Sequence, residues 1–254
     1  MNKRIIIGNW KMNPRSLKDA VKLFSSMVKS ISRIKKTEII ICPPFLYFEK
    51  LKKISRKIFL GAQDAFWGDV GAFTGEISSE MLYNFGIRHV ILGHSERRAL
   101  GETDALINKK IKATLSVGLA PIVCIGEIKR DLGHGHFDVV KAQIRECLRG
   151  VSKNSISKII IAYEPVWAIS STPGRFDATP ADSLEMTIFI RRVLSDLSTP
   201  EIARETRVIY GGSVNERDVG DFLGHGGVDG VLVGRASLDP KKFVEIVKIA
   251  ENLK

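Results

Sequence analysis

The chain has 254 residues, of which 44% are hydrophobic and 26% are charged, and its formal net charge is +11. This composition is typical of a folded globular protein and excludes a chain that is disordered for lack of apolar residues. The positive charge suits a small anionic ligand or nucleic acid, and it fits equally well a basic surface without a specific partner.

The apolar runs and the cysteines predict the compartment. The N-terminal run Ile5–Ile7 is shorter than the roughly 7–15 residues of a signal-peptide core, and no run approaches the roughly 20 residues of a membrane helix. Cys42, Cys124 and Cys147 are widely spaced and form no C-x-x-C pair, which favours reduced thiols. We therefore expect a cytoplasmic protein that does not interact with a membrane.

Short runs of β-branched residues alternate with helical patterns along the chain. Each run is almost continuously apolar, which is typical of a strand that is buried on both faces of a parallel sheet. The predicted strands are Arg4–Trp10, Glu38–Cys42, Lys57–Gln63, His89–Gly93, Ala120–Ile125, Lys158–Glu164, Arg207–Tyr210 and Gly230–Gly234.

Helical periodicity is clearest in three of the segments between or after these strands. Leu17–Ile31 and Glu49–Lys57 are predicted as amphipathic helices, and Pro240–Leu253 as a helix that begins after the N-cap Asp239. The apolar faces are expected to be Leu17, Val21, Phe24, Val28 and Ile31 in the first helix, and Leu51 and Ile54 in the second. The lysines around Leu51 lack interleaved aromatic residues, so they indicate a solvated face rather than a nucleic-acid site.

Eight strand–helix units follow one another without a linker or a shift in composition. This pattern predicts a single α/β domain over residues 1–254, and eight such units favour a closed (β/α)₈ barrel. An open, doubly wound sheet is the competing architecture.

Polar residues end several of the predicted strands. Asn9 and Lys11 end or follow the first strand, His94 follows the fourth, and Glu164 ends the sixth. Glycine-rich turns follow the last two strands and contain Ser213, Gly234 and Arg235. Because the carboxyl ends of barrel strands meet at one face, we expect these residues to surround a single site.

These residue types suit proton transfer beside a carbonyl group. A partly buried carboxylate such as Glu164 can act as a base, while an imidazole and an ammonium group stabilise the oxyanion that develops. Glycine-rich turns offer backbone N–H groups to a phosphate. Taken singly, Lys11, His94 and Ser213 also fit a solvated lysine, a helix cap and an ordinary turn, so it is their joint placement that favours a site.

No metal or cofactor is expected at this site. A metal-dependent epimerase needs inward histidine and aspartate ligands at several strand ends, and only His94 is so placed. His134 and His136 lie in a glycine-rich segment after the fifth strand, and we expect them to be exposed rather than metal-bound.

Several long motifs occur in a fixed order along the chain. They are Gly8–Asn13 (GNWKMN), Gly71–Ser78 (GAFTGEIS), Ile91–Arg98 (ILGHSERR), Cys124–Glu127 (CIGE), Ala162–Ile169 (AYEPVWAI) and Tyr210–Val214 (YGGSV). In these motifs the sequence resembles the triosephosphate isomerase family over essentially its whole length.

The resemblance implies an isomerase that interconverts dihydroxyacetone phosphate and D-glyceraldehyde 3-phosphate in glycolysis and gluconeogenesis, without a cofactor. Glu164 is then the base, and His94 is the electrophile, a neutral histidine at a helix N-terminus as in the family's well-known case. Asn9 and Lys11 hold substrate, and Glu96 supports them. Backbone N–H groups at Ser170, Ser213, Gly234 and Arg235 are expected to bind the phosphate, and Cys124 is expected to pack near the base.

The resemblance also implies a homodimer that binds a small phosphorylated triose and no nucleic acid. In this family a protruding loop of one subunit reaches the active site of the other. The segment Gln63–Glu80 matches that loop and places Thr74 near its tip.

Two positions depart from the family pattern. Ser170 stands where the family has a glycine that grips phosphate, and the lid Ser170–Pro180, which includes Arg175, is a few residues longer than usual. Residues of this longer lid, such as Arg175, are expected to alter its opening rate and not the reaction. Arg235 stands where a second glycine is common, and we expect its N–H to meet phosphate while its side chain points away.

Two other functions remain open from the sequence. One is a different sugar-phosphate isomerase or epimerase on a phosphate-binding barrel. The other is a non-catalytic barrel that binds anions or nucleic acid through its basic surface.

Overall fold

The computed structural model describes residues 3–130, 133–169, 172–174 and 176–253. Eight parallel strands close into a barrel in chain order, and the eighth pairs with the first. This closed order confirms the predicted (β/α)₈ architecture and excludes the open sheet. The strands are β1 (Arg4–Asn9), β2 (Thr37–Cys42), β3 (Phe59–Ala62), β4 (His89–Leu92), β5 (Ala120–Ile125), β6 (Ile160–Tyr163), β7 (Arg207–Tyr210) and β8 (Gly230–Val233).

Helices surround the barrel. The α-helices are α1 (Leu17–Ser30), α2 (Phe48–Lys52), α3 (Ser79–Phe85), α4 (Ser95–Ala99), α5 (Asp104–Ser116), α6 (Gly135–Cys147), α7 (Lys153–Ile156), α8 (Pro180–Leu197), α9 (Pro200–Glu205), α10 (Val219–His225) and α11 (Pro240–Asn252). Short 3₁₀ turns lie at Phe45–Tyr47, Val166–Ala168 and Arg235–Leu238. Within the described ranges, no helix combines the length and the apolar character needed to cross a membrane.

Two apolar layers explain why the strands are almost continuously hydrophobic. In β1, Ile5 and Ile7 point into the barrel and pack with Ile40, Ile91 and other inward residues. Ile6 points outward and joins the larger core between the strands and the helices. Because both faces of each strand are covered, the alternation of polar and apolar residues typical of a half-exposed strand is lost.

Several predicted strands are longer than the observed ones. Trp10, Gln63, Gly93, Glu164 and Gly234 follow their strands rather than belonging to them. An apolar run does not mark the residue at which hydrogen bonding between strands stops, so the predicted carboxyl ends of these strands lie one residue beyond the observed ends. Each of these residues lies just beyond a strand's carboxyl end, which is where a barrel places its functional groups.

One predicted helix face and one predicted helix end are partly wrong, whereas Leu51 and Ile54 do pack against the core as predicted. In α1 the buried residues are Ala20, Phe24 and Met27, while Leu17 is 46% exposed in the first turn. The helix predicted over Glu49–Lys57 ends at Lys52. The hydroxyl of Ser55 accepts hydrogen bonds from two backbone N–H groups further along, at Lys57 and Ile58, and this local turn replaces a continued helix.

The prediction for one of the two loop histidines is also wrong. His134 is exposed and precedes α6, but His136 in the first turn of α6 is only 3% exposed. Its ring centroid lies 4.3 Å from that of Phe137, so the imidazole packs as an aromatic surface. The described part of the chain contains no group of three or more His, Cys, Asp or Glu residues able to hold a metal ion.

Candidate active site

A cavity of about 320 Å³ opens at the carboxyl ends of the strands. It brings together most of the residues that the sequence predicts for the site, namely Asn9, Lys11, His94, Glu164, Ser213, Gly234 and Arg235. Ile169, Asn215 and Lys242 also line it, although the sequence did not predict them. Ser170 and Arg175 lie outside the described residues.

The backbone of Lys11 adopts an unusual conformation. Its φ angle is +52°, in the left-handed region that a residue with a side chain rarely enters. Its N–H donates to Asn9 Oδ1 at 3.0 Å, and its carbonyl accepts from Gln63 Nε2 at 2.8 Å. Gln63 also donates to the carbonyl of Cys42, at 2.8 Å. Asn9 and Gln63 therefore hold Lys11 in this conformation, and Gln63 could have been predicted, since it follows β3 at the same end of the barrel.

The ammonium group of Lys11 has a partner on α4. Its Nζ lies 2.5 Å from Glu96 Oε1, and the two side chains are 23% and 47% exposed. The other oxygen of the same carboxylate, Glu96 Oε2, lies 3.8 Å from His94 Nδ1. Glu96 therefore positions the ammonium group without itself lining the cavity.

His94 caps α4 with its side chain. Its Nδ1 accepts a hydrogen bond from the N–H of Glu96 at 3.2 Å, which assigns the ring proton of a neutral imidazole to Nε2. Nε2 lies 3.2 Å from Glu164 Oε1, and the ring is 6% exposed. The helix start thus fixes both the orientation of the ring and the nitrogen that faces the cavity.

Glu164 is buried, with 2% of its surface exposed. Its Oε1 faces His94 Nε2, and its Oε2 accepts from the N–H of Ser95 at 3.1 Å. Gly211 makes room for this carboxylate, because a Cβ there would lie 2.7 Å from Glu164 Cγ.

Burial raises the pKa of the Cys124 thiol, and the neighbouring Glu164 carboxylate raises it further. Cys124 is fully buried beside the base, and a buried thiol with a raised pKa is a poor nucleophile.

The turns after β7 and β8 also line the cavity. The N–H of Ser213 donates to the carbonyl of Ala168 at 3.1 Å, so this phosphate-binding candidate is already engaged. Gly234 lies next to the lysine, since a Cβ at Gly234 would come within 3.8 Å of Lys11 Cε. Arg235 follows and begins the 3₁₀ turn Arg235–Leu238.

Glu127 anchors the chain where the predicted lid begins. One of its carboxylate oxygens, Oε1, accepts from Tyr163 Oη at 2.9 Å and from Trp167 Nε1 at 2.7 Å. The carbonyl of Trp167 in turn accepts from the N–H of Phe176 at 3.1 Å. These contacts join β6 to the segment after it, and Glu127 is a positioning residue that the sequence-based site omits.

The loop with Thr74 near its tip projects from the barrel. Phe66 pairs with Ser78 at its base, and the ring centroids of Phe66 and Phe73 lie 4.6 Å apart. Thr74 is exposed, and Val70 in the same loop is 92% exposed. Exposed apolar side chains on such a loop are typical of a surface that contacts another protein.

Comparison with known proteins identifies the family. The model of the family described as triosephosphate isomerase matches residues 4–250. A protein named triosephosphate isomerase from Aquifex aeolicus is 44% identical over 250 residues, covering 96% of this chain and 98% of the relative. The protein of that name from Caldanaerobacter subterraneus subsp. tengcongensis is 42% identical, covering 97% of this chain and 99% of the relative. The one from Dehalococcoides mccartyi is 44% identical, covering 98% of this chain and 97% of the relative. The chain therefore belongs to the triosephosphate isomerase family.

Proposed function

We propose that this chain interconverts dihydroxyacetone phosphate and D-glyceraldehyde 3-phosphate by proton transfer through an enediolate, in glycolysis and gluconeogenesis. The observation that supports this most directly is the convergence of a buried carboxylate, Glu164, an imidazole protonated at Nε2, His94, and the ammonium group of Lys11 at one cavity. Membership of the family agrees with it.

Each of the three side chains has a distinct role. Glu164 removes a proton from the carbon beside the carbonyl group, and the electron pair moves onto the carbonyl oxygen. His94 donates its Nε2–H to that oxygen, and Lys11 stabilises the negative charge that develops there. His94 then takes up the hydroxyl proton from the oxygen on the first carbon, and Glu164 returns its proton to the former carbonyl carbon as the first carbon becomes the new carbonyl group. In the present structure the carboxylate lies 3.2 Å from His94 Nε2 and accepts from the N–H of Ser95, and the substrate displaces these contacts.

The phosphate group binds at the wall formed after β7 and β8. Backbone N–H groups of Ser213, Gly234 and Arg235 surround it, and the family resemblance implies a further N–H at Ser170. Because the N–H of Ser213 is bonded to the carbonyl of Ala168 in the present structure, phosphate binding there has to break this bond. Binding is thus coupled to a shift of the segment that leads into the lid.

A coupled assay tests the function. Purified protein is incubated with D-glyceraldehyde 3-phosphate, and dihydroxyacetone phosphate is measured through NADH oxidation by glycerol-3-phosphate dehydrogenase. We expect turnover that is insensitive to EDTA and weak or absent with unphosphorylated glyceraldehyde. Loss of activity with EDTA favours a metal-dependent epimerase instead, and a folded protein that binds triose phosphate without turnover favours a binding barrel.

We further propose that the chain is a cytoplasmic homodimer. Highly exposed apolar side chains support the dimer, namely Met12 (93%), Leu46 (87%) and Val70 (92%). Met12 follows Lys11 directly, so a partner that covers Met12 also covers the rim of the active site. A second copy of the chain, with its own projecting loop, is the occupant that the family resemblance implies.

Replacing Thr74 with arginine is expected to weaken the dimer. A charge placed at the loop tip becomes buried without a counter-ion when the loop docks, so the dissociation constant should rise at least about 100-fold. Sedimentation velocity at several concentrations, with kcat measured on the same samples, checks this. Ser26→Arg on the exposed side of α1 adds the same charge and should leave the dimer intact. A fully active monomer contradicts the proposal.

A further inference from the structure

The segment at the end of β5 remains paired with the segment that carries the base. The N–H of Glu164 donates to the carbonyl of Ile125 at 2.7 Å. Two residues further along, the N–H of Val166 donates to the carbonyl of Glu127 at 3.0 Å. Gly126 lies between these two bonds, and a Cβ there would come within 1.9 Å of the Glu164 carbonyl oxygen. The backbone of residues 125–127 therefore sets the place of the Glu164 backbone.

The polar backbone groups of Gly126 face away from β6, beyond the point where β4 ends. In a parallel sheet, alternate residues bond to the strands on opposite sides. Since Ile125 and Glu127 bond toward β6, Gly126 directs its N–H and its carbonyl to the other side. On that side the pairing of β4 with β5 ends at Leu92 and Val123. Gly126 thus needs a partner other than β4.

Gln143 on α6 supplies both of the missing hydrogen bonds. Its Oε1 accepts from the Gly126 N–H at 2.8 Å, and its Nε2 donates to the Gly126 carbonyl at 3.1 Å. One carboxamide therefore takes the place of a neighbouring strand and fixes both the position and the tilt of this backbone. Val140 and Ile144 of the same helix are buried in the core between the strands and the helices, so the amide extends from a firmly packed support.

Gly126 passes the position of this amide on to the segment around the base. Glu127 follows Gly126 directly, and its carboxylate accepts from Trp167 Nε1 at 2.7 Å, three residues after Glu164. Gln143 itself is not among the described residues that line the cavity. Any effect of Gln143 on the reaction therefore has to pass through the backbone that it holds.

We propose that Gln143 is a positioning residue for the base, which acts through the Gly126 backbone to keep Glu164 in its place in the cavity. This inference rests on the proposed function and adds a residue of α6 to the proposed mechanism. Because the phosphate binds at the turns after β7 and β8, loss of the Gln143 amide should lower kcat and leave KM almost unchanged.

The Gln143→Met variant removes both hydrogen bonds at nearly constant side-chain volume. A displacement of about 1 Å at a catalytic group costs on the order of 10²-fold in rate, so we expect kcat for D-glyceraldehyde 3-phosphate to fall about ten- to a hundredfold, with a change in KM below about twofold. Exchange of the Glu164 backbone N–H in D₂O, followed by NMR, should become at least about tenfold faster. Gln143→Glu keeps the size of the side chain but sets a carboxylate against the Gly126 carbonyl, so it should show the same changes if Gln143→Met does not fold.

Asn108→Leu is the matched control. Asn108 on α5 is a buried amide whose Nδ2 donates to the backbone carbonyls of Cys147 at 2.7 Å and Arg149 at 2.9 Å. This variant also loses two hydrogen bonds from an amide to the backbone, at the carboxyl end of α6, so it controls for a general loosening of that helix. It should be less stable in urea but keep the parent's kcat and the parent's exchange rate at Glu164.

Unchanged kcat, or unchanged exchange at Glu164, in the folded Gln143 variants overturns the proposal. An equal fall of kcat in Asn108→Leu overturns it too, as does a rise in KM that accounts for the whole loss of kcat/KM.

The exchange measurement separates this inference from the proposed function, because it needs no turnover. If the parent does not convert triose phosphate but the Glu164 N–H exchanges faster only in the Gln143 variants, the isomerase function fails and the positioning role stands. If the parent is an active isomerase and both kcat and exchange are indifferent to Gln143, the function stands and this inference fails.

Discussion

The Glu164→Gln variant is expected to lose about 10²- to 10⁴-fold in kcat for D-glyceraldehyde 3-phosphate while it keeps the parent's fold. The amide has almost the same shape as the carboxylate but does not take up a proton at neutral pH. Its oxygen can still face His94 Nε2, which lies 3.2 Å from Glu164 Oε1 in the parent. The expected fall in kcat therefore comes from the loss of the base that removes the proton, and not from a change in the packing of the active site.

Two measurements check this result. The coupled assay gives kcat, and proton NMR in D₂O follows deuterium incorporation at the carbon that loses its proton. Glu245→Gln on α11 is the matched control, since that side chain is half exposed and its nearest cation, Lys248, lies 3.9 Å away. A Glu164→Gln variant with more than about a tenth of the parent's kcat would place the base elsewhere.

The site residues at strand ends were predictable from sequence because the carboxyl ends of all barrel strands meet at one face. Asn9, His94 and Glu164 each come at or after the end of a β-branched run, and a closed barrel brings all such ends to one face. The same rule also reaches Gln63, which the structure shows holding the backbone of Lys11. Chemistry-bearing residue types at strand ends are thus a sufficient signal for this part of the site.

Other contacts depend on packing between distant segments, which local patterns do not encode. The bond from Ser213 N–H to the carbonyl of Ala168 joins the turn after β7 to the segment after β6. His136 is buried beside Phe137, whose ring centroid lies 4.7 Å from that of Phe189 on α8. The helix over Glu49–Lys57 was predicted too long because its apolar spacing continues past Lys52, where the Ser55 hydroxyl redirects the backbone. The first two features follow from the assembled barrel, whereas the end of the helix at Lys52 goes with a local hydrogen-bonded turn.

Gly126→Ala is expected to lower both the free energy of unfolding and the activity. Gly126 follows β5, and a Cβ at this position would lie 1.9 Å from the carbonyl oxygen of Glu164. Its backbone is held on the other side, since its N–H donates to Gln143 Oε1 at 2.8 Å and its carbonyl accepts from Gln143 Nε2 at 3.1 Å. Neither segment can shift without breaking hydrogen bonds, so we expect a loss of at least about 3 kcal/mol.

The same clash displaces the base. A shift of about 1 Å at a catalytic group costs on the order of 10²-fold in rate, so kcat should fall even in the fraction that remains folded. Urea unfolding at a fixed protein concentration and the coupled assay measure the two effects. Gly224→Ala in α10 is the control, because a Cβ there meets no atom within 4 Å, and helix propensity should stabilise it by roughly 0.5–1 kcal/mol.

Gly211→Ala separates the two effects if Gly126→Ala does not fold. A Cβ at Gly211 would lie 2.7 Å from Glu164 Cγ, a side-chain atom that can move, so the loss of stability should be smaller than in Gly126→Ala. The carboxylate must nevertheless leave its place beside His94, and kcat should fall. A folded Gly211→Ala variant with the parent's kcat would show that the observed resting position of Glu164 is not required for turnover, and parental stability in Gly126→Ala would contradict the predicted backbone clash.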